Sequence, residues 1–226
     1  MSGFRPLPLA VLVSGNGSNL QALLDAARRG EIAVEPRIVI SDQPDAFGLQ
    51  RAARAGVATR VHRTAGYPDR QTYDAVLADL IDSSGAELVA LAGFMRILSP
   101  GIVQHFAGRM LNIHPALLPL YRGLHTHRRV LDAGDRIHGA SVHFVTEELD
   151  GGPVVVQARV PVLANDDEAG LSARVQRVEH KIYPLAVDLL ASGRLRLRDG
   201  KAWLDDRVLE QPVTYEASEL LREESA

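Results

Sequence analysis

Between residues 9 and 113 short apolar runs alternate with helical-period segments, and glycine or a polar turn marks nearly every boundary. Residues 9–14 are apolar and β-branched, then a Gly/Asn/Ser turn leads into Leu20, Leu23, Leu24 and Ala27 at helical spacing, closed by Arg28, Arg29 and Gly30. The unit recurs as a strand at 37–41, a helix at 46–55, a strand at 59–62 and a helix at 69–83 that ends near Gly85. Two further short buried strands are expected at 88–91 and 110–113. Strands without a polar face need cover on both sides, and a helix between neighbours makes them parallel. The alternation predicts an α/β fold: a doubly wound, mostly parallel central sheet with helices on both faces.

Past Pro119 the pattern changes. Residues 139–145 alternate like an exposed-edge or antiparallel strand, and 154–162 follow the turn Asp150-Gly151-Gly152-Pro153, so the two are expected to pair. Residues 167–192 read as a long helix that Pro184 should kink or break. Leu195, Leu197, Trp203 and Leu204 suggest a terminal hairpin, giving an antiparallel C-terminal portion, and 218–226 a frayed tail. With 226 residues, 46% of them hydrophobic, the expectation is one domain, 1–226, with an N-terminal half of about 1–110 and a second half of about 111–210. A net charge of −3 gives no reason for a nucleic-acid or membrane partner, and the absence of cysteine excludes disulfides, thiolate zinc sites and cysteine nucleophiles. The N-terminal apolar run is too short for a membrane span and lacks a cleavage pattern, so it reads as the first core strand of a cytoplasmic protein.

The loop SGNGSNLQ, 14–21, joins the first strand to the first helix, where backbone amides and the helix dipole favour phosphate. A dinucleotide fingerprint would need glycine where Leu20 stands, and a P-loop would need a lysine the segment lacks. Two readings stay open: a monophosphate site, or a tight turn in which Ser18 and Gln21 form a capping box.

LNIHPALLP, 111–119, holds a carboxamide and an imidazole two residues apart on an extended run that Pro115 terminates. Period-two alternation puts Asn112 and His114 on one side at the strand tip, where α/β sheets keep ligands. An imidazole with an ordinary pKa of roughly 6.5 can shuttle a proton, and a carboxamide NH2 can donate to a developing oxyanion. Asp150 in the turn after a strand is the candidate carboxylate for His114; the alternative is that it bonds only its own turn. The other histidines, including His125, His127 and His143, read as solvated or structural rather than as metal ligands.

Together SGNGSNLQ, LAGFMRILSP, NIHPALLP, GLHTH, SVHFVTEELDGGPVVVQA and VQRVEHKIYP resemble, in order, the formyltetrahydrofolate-dependent formyltransferases. The first loop resembles the branch that formylates a glycinamide ribonucleotide in purine biosynthesis. The resemblance implies that Gly17, Ser18 and Asn19 hold the ribonucleotide phosphate and that Glu179 binds its ribose or glycinamide part. It implies a folate pocket lined by Arg70, Met95, Arg96, Ile97, Leu98, Asn112, Thr146, Glu147, Glu148, Leu149 and Asp150. Asn112, His114 and Asp150 become the catalytic set, 10-formyltetrahydrofolate the co-substrate, and no metal is required. The expected partners are these small molecules, and a homodimer is compatible with the resemblance.

The chain departs from the family at Leu120, Tyr121 and Arg122, where a small, basic or proline residue is expected, which puts the conformation of that loop in question. The nearest rival is a formyltetrahydrofolate deformylase, which shares the Asn, His and Asp set but usually carries an extra N-terminal domain. Rivals of other classes are a metal-dependent hydrolase using His114, His125 and His143, and a non-catalytic ribonucleotide-binding module.

Overall fold

The computed structural model describes residues 5–220. The strand and helix units of the first half form as expected, β1 (Leu7–Val13), α1 (Ser18–Arg29), β2 (Val34–Ser41), α2 (Phe47–Arg54), β3 (Ala58–Val61), α3 (Arg70–Ser83), β4 (Leu88–Leu91) and β5 (Met110–His114), with an additional short helix, α4 (Pro100–His105), between the last two strands. The second half adds α5 (Thr126–Ala133), β6 (Ile137–Phe144), β7 (Val154–Pro161), α6 (Glu168–Ala191), β8 (Leu195–Arg198), β9 (Lys201–Leu204), β10 (Arg207–Val208), β11 (Val213–Glu216) and α7 (Ala217–Leu220). Eight strands form the main sheet in the order β11-β7-β6-β5-β4-β1-β2-β3, and β10-β9-β8 make a small antiparallel one. Only β6 runs against the others in the main sheet, antiparallel to both β5 and β7.

The two cores show how the sheet is covered. In β1, Leu9, Val11 and Val13 pack on the side of α1 and α6, while Ala10 and Leu12 pack on the opposite side with Tyr73, Leu77 and Ile81 of α3. A strand buried on both faces therefore reads as one continuous apolar run. The same division orients β5: Leu111 and Ile113 belong to the α6 side and Met110 to the α3 side. Asn112 and His114 consequently share the face of Met110, at the end of the strand. In β6, Ala140, Val142 and Phe144 pack on the α6 side, which turns Ser141 and His143 to the face of Asn112 and His114.

Several expectations are corrected. Of the two readings of β6 the antiparallel one holds, with β7 as its expected partner, and the exposed-edge one does not, since the strand is interior and buried over nearly its whole length. Helix α6 continues through Pro184 for 24 residues. Tyr183, beside that proline, is fully buried, and its hydroxyl reaches the carbonyls of Leu91 at 2.9 Å and Leu111 at 3.2 Å. The capping box is absent: α1 begins at Ser18 after a left-handed Gly17 with no side-chain cap, and Gln21 Nε2 donates to Asp25. Of the expected tail, 217–220 form α7, and 221–226 lie outside the described residues.

Candidate active site

At the tip of β5 the antiparallel register with β6 sets Asn112 opposite His143 and His114 opposite Ser141. His143 Nδ1 donates to the carbonyl of Phe144 at 2.9 Å, which leaves Nε2 as the acceptor for Asn112 Nδ2 at 3.1 Å. Burial holds the His143 imidazole below its ordinary pKa and so in the neutral form. His114 Nε2 donates to the carbonyl of Tyr121 at 2.9 Å, because a carbonyl can only accept. Its Nδ1 then faces Asp150 Oδ2 at 3.5 Å.

Asp150 is the hub of this group. It takes a left-handed backbone, φ 48°, in the turn after β6. One carboxylate oxygen accepts from the backbone N–H of Gly123 at 2.8 Å, and the other lies 3.7 Å from Nε2 of His143. Its partners therefore lie on other segments, which removes the reading that it bonds only its own turn. Gly152 makes the turn feasible, since a Cβ there would meet the Phe144 carbonyl oxygen at 1.9 Å. The carboxylate is 9% exposed and the His114 side chain 7%, so the pair is shielded from bulk water.

Beside this group lies a cleft lined in part by Val103 of α4. Its apolar lining includes Leu91, Phe94, Ile97, Leu98, Val103 and Val145, and Arg96 and residues 146–149 line it as well. Asn112, His143 and Asp150 also line it, whereas His114 is not among the lining side chains. A cleft that combines apolar side chains with convergent polar groups suits a small organic ligand. Of the residues expected here, Arg96, Ile97, Leu98, Asn112, Thr146, Glu147, Glu148, Leu149 and Asp150 are brought together. Arg70, the first residue of α3, and Met95, 65% exposed, are not among the lining side chains. The 93–95 segment is tied to the end of β1: Ser14 N–H donates to Gly93 O at 3.0 Å, and Met95 N–H donates to Ser14 Oγ at 2.9 Å.

The glycine loop lies at the end of β1. Gly17, at φ +72°, sits so close to α2 that a Cβ would come within 2.7 Å of Gly48 Cα. With no side-chain cap, the first-turn N–H groups of α1 are presented for an anion. Asn19 Nδ2 donates to Glu179 Oε2 at 2.8 Å, bringing together two residues 160 positions apart. Burial raises the Glu179 pKa, against the opposing pull of that hydrogen bond. Arg51, absent from the sequence expectations, bonds the carbonyl of Asn16 at 2.9 Å and its side-chain oxygen at 3.0 Å.

Of the histidines weighed for a metal, His114 and His143 belong to the group around Asp150, while His125 and His127 lie at the start of α5. His127 Nδ1 and His138 Nε2 are 3.0 Å apart, and His125 is the left-handed residue before α5. Among the described residues no three His, Cys, Asp or Glu side chains converge as metal ligands. No described helix is long and apolar enough to cross a membrane.

A doubly wound sheet with one reversed strand, a polar group at a strand tip and an apolar cleft beside it define a class, and comparison with known proteins gives the family. Residues 7–187 match the formyl transferase family, and the chain belongs to it. It is 54% identical over 211 residues to the phosphoribosylglycinamide formyltransferase of Escherichia coli, covering 93% of this chain and 99% of that protein. The enzyme of the same name from Haemophilus influenzae is 44% identical over 201 residues, 89% of this chain and 95% of that one. The structure of phosphoribosylglycinamide formyltransferase from Coxiella burnetii superposes with a TM-score of 0.89 at 44% identity, covering 93% of this chain and 99% of its own.

Proposed function

We propose that this chain transfers the formyl group of 10-formyltetrahydrofolate to the amine of a glycinamide ribonucleotide, the activity named for its relatives, and does so in the cytoplasm. The observation that carries the residue assignment is that Asn112 and Asp150 both line the cleft while His114, from the same strand tip as Asn112, faces Asp150 at 3.5 Å. When bound, the folate supplies a formyl group whose carbon accepts the amine directly.

Asn112 has a second N–H on its carboxamide beyond the one given to His143, and that donor is assigned to the formyl oxygen as negative charge builds there. His114 in its protonated form is the second donor, and each such donor contributes about 3 kcal/mol in comparable sites. Asp150 stabilises the imidazolium by charge and, through water, assists proton movement from the attacking amine toward the departing folate nitrogen. The proposal needs neither a covalent enzyme intermediate nor a metal ion. Gly17, Ser18 and Asn19 are assigned to the phosphate of the ribonucleotide, and Glu179 to its ribose or glycinamide portion.

The test is absorbance of the folate product with and without glycinamide ribonucleotide. Product formation that depends on the ribonucleotide supports the transferase reading. Formate release at the same rate without it transfers the chain to the deformylase reading.

A further inference from the structure

The loop that departs from the expected pattern holds the imidazole. Tyr121 contributes the carbonyl to which His114 Nε2 donates, and it does so from a left-handed backbone, φ 55°, that a bulky residue rarely takes. Three contacts from α5 and its exit hold it there. The Tyr121 hydroxyl donates to Asp135 Oδ2 at 2.6 Å, just beyond the glycine that ends α5. The guanidinium of Arg129 lies 5.3 Å from the centroid of the Tyr121 ring. Its Nη1 also donates to the next carbonyl, that of Arg122, at 2.7 Å.

We infer that Tyr121 and Asp135 are positioning residues for the catalytic histidine. Their hydroxyl–carboxylate bond pins the 120–122 segment so that its carbonyl keeps a proton on His114 Nε2. That assignment makes Nδ1, the nitrogen facing Asp150, the one that gains and loses the working proton. Without the pin, the segment can relax out of the left-handed region, and the carbonyl swings away from the ring. The imidazole then populates both tautomers, and in one of them Nδ1 already carries a proton in the neutral ring. Neither residue touches a substrate in this account. The catalytic consequence rests on the formyl-transfer reading, while the tautomer consequence does not.

The experiment uses the full chain labelled with 15N-histidine, comparing the parent with Tyr121→Phe, Asp135→Ala and Asp135→Asn at a pH where the His114 ring is neutral. His114 signals are assigned by their loss in His114→Asn. The parent should show Nε2 as the protonated nitrogen. In Tyr121→Phe and Asp135→Ala the two His114 nitrogens should move toward averaged shifts, and kcat should fall about tenfold with both KM values within about twofold of the parent. Asp135→Asn keeps an oxygen for the hydroxyl and should restore both readouts. An unchanged His114 pattern in Tyr121→Phe and Asp135→Ala overturns the inference, whether or not turnover falls. If Tyr121→Phe does not fold, the Asp135 pair decides alone, because Asp135 lies in a surface turn. A shifted pattern in a protein that shows no formyl transfer supports the positioning role and removes the functional reading instead.

Discussion

Asn112 gives one carboxamide N–H to a histidine that cannot return a proton. His143 is buried, neutral and already donating from Nδ1 to Phe144, so its Nε2 acts on Asn112 only as an acceptor. That fixes which end of the carboxamide is NH2 and aims its other N–H. His143→Ala should therefore lower kcat by about 10- to 100-fold, within the range for mispositioning an oxyanion donor. His143→Gln, which offers an oxygen to Asn112, should recover part of the loss. Steady-state kinetics with both substrates saturating decide it, and an alanine variant at parental turnover would remove the assigned role of His143.

Asp150 has two tasks that substitution can separate. Asn at this position tolerates a left-handed backbone and can still accept from Gly123 N–H, but it carries no charge for His114. Asp150→Asn should lose at least about 100-fold in kcat while changing unfolding free energy by less than about 1 kcal/mol. Asp150→Ala should lose similar activity and a further ~1 kcal/mol, because the partly buried Gly123 N–H loses its partner. Turnover beside urea midpoints for the two variants checks this. Equal stability of the two would show that the Gly123 bond contributes nothing.

Much of the N-terminal half of the sheet was legible, because β1 and β4 are uninterrupted apolar runs, α1 ends at Gly30, and Gly56 and Gly85 stand just past α2 and α3. Asn112 and His114 were legible as a pair for the same reason: strand periodicity alone puts them on one face. The place of His143 beside Asn112 was not legible, since it depends on the β5–β6 register, which lies in cross-strand bonds rather than in local pattern. Likewise β11, which pairs with β7, and α4 and α5 are short segments whose stability comes from what they pack against. The 120–122 loop looked like the weak point because its residues were unusual, yet in space it supplies the carbonyl partner of His114.

The His127–His138 contact predicts acid sensitivity. Burial lowers the pKa of both rings, that of His138 to about 4, and two charged rings 3.0 Å apart would repel. In the unfolded chain these histidines titrate near 6.5, so as pH falls below that value the unfolded state takes up protons the native state refuses. Stability is therefore lost progressively between about pH 6.5 and pH 4, with a ceiling of about 3 kcal/mol from His138. Urea midpoints across this window should fall for the parent and fall less for His138→Gln. An unchanged slope in the variant would place the acid sensitivity elsewhere, with buried His143 the next group to replace.

Glu179 sets stability against binding. It is buried on α6, accepts from Asn19 and has its pKa raised by burial. A carboxyl group with a raised native pKa makes the fold less stable as pH rises from its unfolded value, about 4.5, through its native one. Glutamine keeps an oxygen for Asn19 and carries no charge, so Glu179→Gln should raise the urea midpoint at neutral pH and flatten the profile above pH 4.5 or so. The same change should raise KM for the ribonucleotide by about tenfold, as expected for one lost charge-assisted hydrogen bond, and leave the folate KM unaltered. A carboxyl group retained at a cost to folding needs a compensating role, and substrate recognition is the one assigned here. A variant with unchanged stability and unchanged ribonucleotide KM would contradict both halves of that argument.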